Sequence, residues 1–214
     1  MPSTGRIMDI ARRAMNAQRL GLETTGHNIA NANTEGYSRQ RVELKAANPM
    51  FTSKGYLGQG VDIASVRRLR DSFLDVEIRN EFQAFEKWSE METYLGEIEN
   101  IFNEPSDTGL SQAINDFWNV WNDLANDPLN GSAREQVRQT GQYLTNTFQN
   151  LYTRLTNLRS NLNEQVRSEV DEINGILSQV SELNVKIAGT EQKGIMANEY
   201  RDRRDLLLKE LSGK

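Results

Sequence analysis

Residues 144–162 read LTNTFQNLYTRLTNLRSNL, and within them Leu144, Phe148, Leu151, Leu155, Leu158 and Leu162 recur at steps of four, three, four, three and four. That alternation puts an apolar side chain on the same side of every helical turn, the pattern of a helix that packs against another helix. Val166 and Val170 continue it at steps of four, a stutter that relaxes left-handed supercoiling. Ile173, Leu177, Val180, Leu183 and Ile187 then carry the stripe on. Residues 132–135, SARE, read as a capping box, with the Ser hydroxyl and the Glu carboxylate satisfying the first backbone N–H groups. No Pro follows Pro128, so the helix predicted from residue 132 to residue 188 is about 57 residues, or roughly 85 Å. Gly175 weakens it by only about 1 kcal/mol relative to Ala.

Upstream, Leu74, Ile78, Phe82, Phe85, Met91, Leu95, Ile98 and Phe102 recur at steps of three and four, apart from one step of six bridged by Trp88. They predict a helix over 72–102, ended by the turn-forming run NEPSD at 103–107. A shorter helix over 109–125 carries Leu110, Ile114, Phe117, Trp121 and Leu124 on one face. Trp118 and Val120 widen its stripe, so it should be clasped between neighbours. Near the start, Met8, Met15, Leu22 and Ile29 are spaced by seven, with Ala11, Gln18 and Thr25 between them. So narrow a seam predicts a helix over 7–32 that depends on partner helices. After Gly189 and Gly194 a last helix begins near Asn198. Its Leu206, Leu207, Leu208 and Leu211 appear just before the sequence stops at Lys214, which reads as the cut end of something longer.

Between the first two helices the pattern changes. Residues 33–36, NTEG, are turn chemistry. Residues 39–44 offer a short, partly alternating strand, Gly55, Gly58 and Gly60 break the chain, and a second alternating run occupies 61–66. The expected fold is mainly α: an elongated bundle of long antiparallel or coiled-coil helices with a small β excursion near residues 38–68. Three domains are expected, an N-terminal helix over 1–37, a β-containing connector over 38–71, and a long-helix domain over 72–214 truncated at its C-terminal end. The residues expected to pack helix on helix are Phe117, Trp121, Leu144, Phe148, Leu151, Leu155, Leu158 and Leu162.

Composition narrows the function classes. The 214 residues hold 25 Lys and Arg, 30 Asp and Glu, one His and no Cys. Without Cys there is no disulfide framework, thiolate zinc site or cysteine nucleophile. A net charge of −5 argues against general nucleic-acid binding, which needs a basic footprint. No run approaches the 18 or so apolar residues of a membrane span, and the N-terminus lacks the apolar core of a secretory signal. His27, as the sole His, reads as a polar packing residue rather than a base or ligand. The glycines at 55, 58 and 60 fit no phosphate-loop spacing. Arg12-Arg13, Arg67-Arg68 with Arg70, and Arg201 with Arg203-Arg204 are interleaved with acids or apolar residues, and read as interhelical salt bridges or subunit contacts. No catalytic, cofactor or metal constellation is expected.

Residues 27–40, HNIANANTEGYSRQ, are more specific than any periodicity. They resemble the N-terminal signature N-x-A-N-x-N-T-x-G-Y of the family of bacterial flagellar rod, hook and hook-associated axial proteins, carried here by Asn28, Ala30, Asn31, Asn33, Thr34, Gly36 and Tyr37. Glu35 occupies a site where the family commonly has Pro. Within that family, residues 10–18, 37–42, 70–75, 103–110, 117–118, 121–125 and 203–212 are similar to the hook-associated members at the hook–filament junction. The resemblance implies a structural, non-enzymatic subunit, exported without a cleaved signal peptide through the flagellar type III apparatus to the extracellular flagellum. It further implies that the N-terminal helix pairs with a C-terminal helix in the inner tube and is disordered before assembly. Implied partners are other copies of the chain, the hook protein, the second junction protein, and an export chaperone that grips the missing C-terminal region. Neither nucleic acid nor membrane insertion is implied. The alternatives are a rod or hook protein of the same superfamily, and a generic coiled-coil interaction protein.

Overall fold

The computed structural model describes residues 4–53, 55–104, 106 and 109–214. Pro105, Asp107 and Thr108, which belong to the expected stop after the second helix and to the matched run, lie outside the described residues. The elements in chain order are α1 (Thr4–Ala30), β1 (Gln40–Ala46), β2 (Met50–Thr52), β3 (Gly55–Leu57), β4 (Val61–Arg68), α2 (Ser72–Phe102), α3 (Leu110–Asn126), α4 (Gly131–Glu191) and α5 (Asn198–Ser212). The fold is mainly α with a small β excursion. Two compact units are formed, one from residues 1–83 with 173–214 and one from residues 84–172.

In the first unit, β1 and β4 pair antiparallel with a bulge between Glu43 and Leu44. The tighter β2–β3 hairpin, which the sequence reading treated only as a glycine-broken stretch, is nested between them. α1 lies on this ribbon. At Gly60, where φ is +85°, a Cβ would stand 3.2 Å from Ile10 Cγ2. Arg13 pairs with Asp62 at 2.7 Å, and Ala17 and Thr24 are buried. The face that docks is therefore the one bearing Ile10, Arg13, Ala17 and Thr24. The predicted seam points elsewhere: Met8, Met15, Leu22 and Ile29 are 69%, 66%, 75% and 72% exposed. α1 thus has a partner within the chain, but on a different face from the heptad.

The apolar centre of this unit is where α4 meets α5: Ile176, Leu183 and Leu207 are buried together, flanked by Val180 and Leu211. Leu177, placed in the stripe by the sequence pattern, is exposed, and Ile176 takes the inward position. One residue of helical rotation separates the two, about 100°, so a stripe two residues wide left the choice open. No large side chain among the described residues is fully enclosed, and the core is correspondingly thin.

The second unit packs the C-terminal part of α2, α3 and the middle of α4. α2 is capped by Asp71, whose Oδ1 accepts from Phe73 N–H at 2.9 Å. It ends at Asn103, which adopts φ +53°, the left-handed conformation that Asn tolerates at a helix end. Glu104 Oε1 then accepts from Ser111 N–H at 2.8 Å, satisfying a donor that Gly109 at the N-cap position leaves without a side-chain cap. Arg154 reaches the Ile101 carbonyl of α2 at 3.3 Å.

Four sequence expectations shift here. α4 opens with Asn130 as its cap, its Oδ1 accepting from Ser132 and Ala133 N–H at 3.0 and 3.2 Å, so residues 132–135 form no capping box; Glu135 instead binds Arg138. Asn is as good a cap as Ser, and it sits one residue before Gly131 starts the helix. The helix runs 61 residues, about 92 Å at 1.5 Å per residue. On α2, Ile101 is buried and Phe82, Tyr94 and Ile98 are half-buried, whereas Leu74, Ile78, Phe85, Trp88, Met91 and Leu95 are exposed, so the expected single stripe splits into a covered and an open face. α3 buries Ala113 and half-buries Leu110, Ile114, Phe117 and Leu124, but Trp118 and Trp121 stay exposed; it is covered on one side only.

Candidate functional site

The signature residues occupy the end of α1 and the loop into β1, and their geometry explains why those residue types stand there. Asn28 behaves like a length of strand. Its Nδ2 donates to the Gln40 carbonyl at 2.9 Å and its Oδ1 accepts from Gln40 N–H at 2.8 Å. The planar side-chain amide offers one donor and one acceptor side by side, as a peptide group does. Tyr37 closes the arrangement by donating its hydroxyl hydrogen to Asn28 Oδ1 at 2.7 Å. Because that hydroxyl has one hydrogen, the 3.0 Å contact with His27 Nδ1 has His27 donating. Asn31 Nδ2 donates back to the His27 carbonyl at 3.0 Å, and Thr34 Oγ1 donates to Asn31 Oδ1 at 3.2 Å. Ala30 and Asn33 are exposed beside them.

Gly36 and Tyr37 bring this loop against α5. Gly36 has φ +77°, and a Cβ there would stand 3.1 Å from Leu206 Cβ. Two separate constraints, one conformational and one steric, therefore call for glycine. The Tyr37 hydroxyl is pushed above its usual pKa by burial, aided by the negative charges of Asp202 and Glu199, so it remains a donor at any ordinary pH.

α5 answers with carboxylates. Asp202 and Asp205, three residues apart and so on one helix face, both reach Arg68 of β4: Arg68 Nη1 donates to Asp202 Oδ1 at 2.7 Å and to Asp205 Oδ2 at 2.9 Å. The three side chains are 11%, 9% and 10% exposed. The other oxygen of Asp202 accepts from Ser38 N–H at 3.1 Å, and Arg70 Nη1 donates to Ser38 Oγ at 3.1 Å. Burial alone would raise the Asp205 carboxyl, but hydrogen bonds and charge from Arg204 and Arg68 outweigh it and hold its pKa below the usual value. Arg70 is anchored to Asp75 at the start of α2 at 2.6 Å, and Asn198 Nδ2 donates to the Val66 carbonyl at 2.8 Å. A loop, a ribbon and a helix distant in sequence are thereby locked together by charge-assisted hydrogen bonds with few orphaned groups.

Of the residues expected to pack helices, Leu144, Leu151, Leu155, Leu158, Leu162 and Phe117 are half-buried in the second unit, while Phe148 and Trp121 are exposed. Phe117 lies edge-on to Trp118 and Trp121 at 5.6 and 6.2 Å between centroids, and a Cβ at Gly141 would stand 3.4 Å from its ring. These residues belong to the second unit and the signature cluster to the first. Of the arginines expected in interhelical salt bridges or subunit contacts, Arg67, Arg68, Arg70, Arg201 and Arg204 form ion pairs within the chain, Arg67 and Arg68 from a strand, whereas Arg203 is exposed; the roles of Asp202, Asp205 and Asn198 were not anticipated. The available signal was RDRRD at 201–205, two carboxylates at helical spacing among three arginines. Among the described residues no group of His, Asp or Glu is arranged to hold a metal ion, and no helix is long and apolar enough to cross a membrane.

Comparison with known proteins follows these two regions. A family model described as the flagellar hook-associated protein FlgK helical domain matches residues 95–214, and one described as flagella basal body rod protein matches residues 8–37. The chain is 39% identical over 219 residues to flagellar hook-associated protein 1 of Bacillus subtilis, covering 99% of this chain and 43% of that protein. It is 27% identical over 208 residues to flagellar hook-associated protein 1 of Salmonella typhimurium, covering 96% and 37%, and 26% identical to that of Escherichia coli, covering 96% and 38%. The chain thus spans less than half the length of these relatives. No solved structure matches it.

Proposed function

The chain belongs to the flagellar hook-associated protein FlgK family, whose helical-domain model covers more than half of it, and on that premise we propose that it is a structural subunit of the bacterial flagellum, at the junction between hook and filament. The observation that carries this reading is the coupling of the signature to the family's helical domain: Gly36 seats against Leu206, and Asp202 binds Ser38 N–H. Residues 8–37, shared with rod proteins, are thus keyed to a helix that lies within the FlgK match. A protein whose role is to hold shape has use for such a lock.

The partners are further copies of the chain, the hook protein, the second junction protein, and an export chaperone that binds outside these 214 residues. The site of action is the extracellular flagellum, reached without a cleaved signal peptide. The seam of Met8, Met15, Leu22 and Ile29, open along one face of α1, supports the view that this helix gains a further partner on assembly.

The test is genetic. Cells lacking the gene should complete hooks yet release filament protein into the medium without building filaments, and an antibody against the chain should label the hook tip in electron micrographs. The rod-protein match over residues 8–37 favours one competing reading, a rod or hook protein. Under that reading the same cells would stop before the hook is complete. Normal filaments in the deletion strain would overturn both.

A further inference from the structure

The charges of this chain are sorted by unit. Residues 1–83 with 173–214 hold 19 Lys and Arg against 15 Asp and Glu, whereas residues 84–172 hold 6 against 15. One unit is net +4 and the other −9, concealed by an overall −5.

Part of each excess lies on an open surface. On α2, Phe85, Trp88, Glu92, Leu95, Glu99 and Phe102 follow one another at steps of three and four, so they form a single line along the helix. All six are exposed, Phe85 and Trp88 by 65% and 64%. Apolar and acidic side chains share one open face. In the basic unit, β4, the start of α2 and α5 enclose an open cleft of 520 Å³ rimmed by Arg67, Arg79, Arg201 and Arg204, with Val76 and Met196 among its walls. Arg68 is consumed by Asp202 and Asp205, Arg204 also by Asp205, Arg70 by Asp75, and Arg201 by Glu191. Arg79 has no carboxylate partner among the described residues, and Arg67 reaches only Glu43, at 3.5 Å.

We propose that the acidic–aromatic stripe of α2 docks into the arginine-rimmed cleft of a second copy of this chain, so that copies join head to tail. The chemistry of the two surfaces matches. Guanidinium groups both fork onto carboxylates and stack on aromatic faces, and the stripe offers Glu92 and Glu99 beside Trp88 and Phe85. Each surface would repel its own kind, so stripe meets cleft rather than its like; made once per pair of copies, such a contact is heterologous. Heterologous contacts propagate into rings or helical arrays. The inference rests on the reading of the chain as a self-assembling subunit and names the surfaces it would use.

Sedimentation velocity on the 214-residue chain tests it. The wild-type chain should self-associate at about 0.01 M ionic strength and dissociate toward about 0.15 M, as the screening length falls from about 30 Å to about 8 Å. Arg79→Glu and Glu92→Arg, each checked by circular dichroism for unchanged helix content, should each weaken self-association at least about tenfold. An equimolar mixture of the two retains one wild-type cleft and one wild-type stripe, and should form dimers but nothing larger. A wild-type chain that is monomeric at low salt, variants that associate as well as wild type, or a mixture that fails to pair would each overturn the proposal. None of those outcomes touches the flagellar reading, which is judged by hook and filament assembly in cells.

Discussion

Gly36 and Leu206 sit at opposite ends of the chain, yet the missing side chain of one is filled by the other: a Cβ at 36 would stand 3.1 Å from Leu206 Cβ and 3.2 Å from its Cδ2. Gly36→Ala therefore meets two obstacles, a left-handed backbone costing about 1–2 kcal/mol and a displaced leucine. The variant should melt several degrees below wild type. Leu206→Ala should recover part of the loss when combined with it, because the contacts with Cδ1 and Cδ2 disappear while the contact with Cβ and the conformational cost remain. Additive losses in thermal melts would show that the two residues do not share this space.

Asn28→Ala removes both bonds to the Gln40 backbone and the acceptor used by Tyr37. Groups left without partners in a half-buried site cost about 1–3 kcal/mol. Asn28→Asp keeps the acceptor but sets a carboxylate against the Gln40 carbonyl, so it should be no better than Ala. Chemical denaturation of the three proteins checks the order.

Arg68 serves two carboxylates with one nitrogen. Arg68→Ala leaves both nearly buried and short of cation, and breaking such a pair costs about 3–5 kcal/mol. Arg68→Met, with Asp202 and Asp205 both changed to Asn, should be far less damaging than the single change. Equal losses would mean that the cluster is solvated and contributes little.

The depressed Asp205 carboxyl fixes a pH window. In the unfolded chain it takes a proton near its ordinary value of 3.8, before the folded carboxyl does. Its contribution is therefore complete above about pH 5 and drains away as the pH falls through 4 and below. Asp205→Asn should lower the melting temperature at pH 7, and should flatten the part of the acid-side decline that this carboxyl supplies. A parallel pH profile for variant and wild type would contradict the assignment.

In the second unit, Leu151→Asp places a charge on the covered side of α4 and should lower helicity or melting temperature by the equivalent of about 2–4 kcal/mol. Val166→Asp, on an exposed position of the same helix, should stay within about 0.5 kcal/mol. Equal effects would mean that the two faces are not distinguished.

How far the sequence carried this fold varied with the length of the pattern. α4 was legible as a helix because its period is sustained over many turns, but its cap was misplaced by two residues, and Phe148, Val166, Val170 and Leu177 of its stripe are exposed. α2 was legible as a helix but not in its facing. Apolar residues on both sides of the buried line satisfy the same three-and-four spacing, and only tertiary contact decides which are covered. The β2–β3 hairpin escaped because three-residue strands carry almost no period. At the candidate site the turn at Gly36 could be read from composition. The roles of Asn28, Arg68 and Asp202 could not, since each acts on a backbone or side chain that local sequence does not bring near.

The partners in the clamp have a kinetic consequence. Arg68 and Asp205 are separated by 137 positions, and Ser38 and Asp202 by 164. Contacts closing such long loops form late, after the helices whose bonds are local. A nascent or threaded chain would have α1 to α4 able to coil while the signature loop still waits for α5. The most narrowly specified part of this segment then takes shape only once α5 is present to close on it.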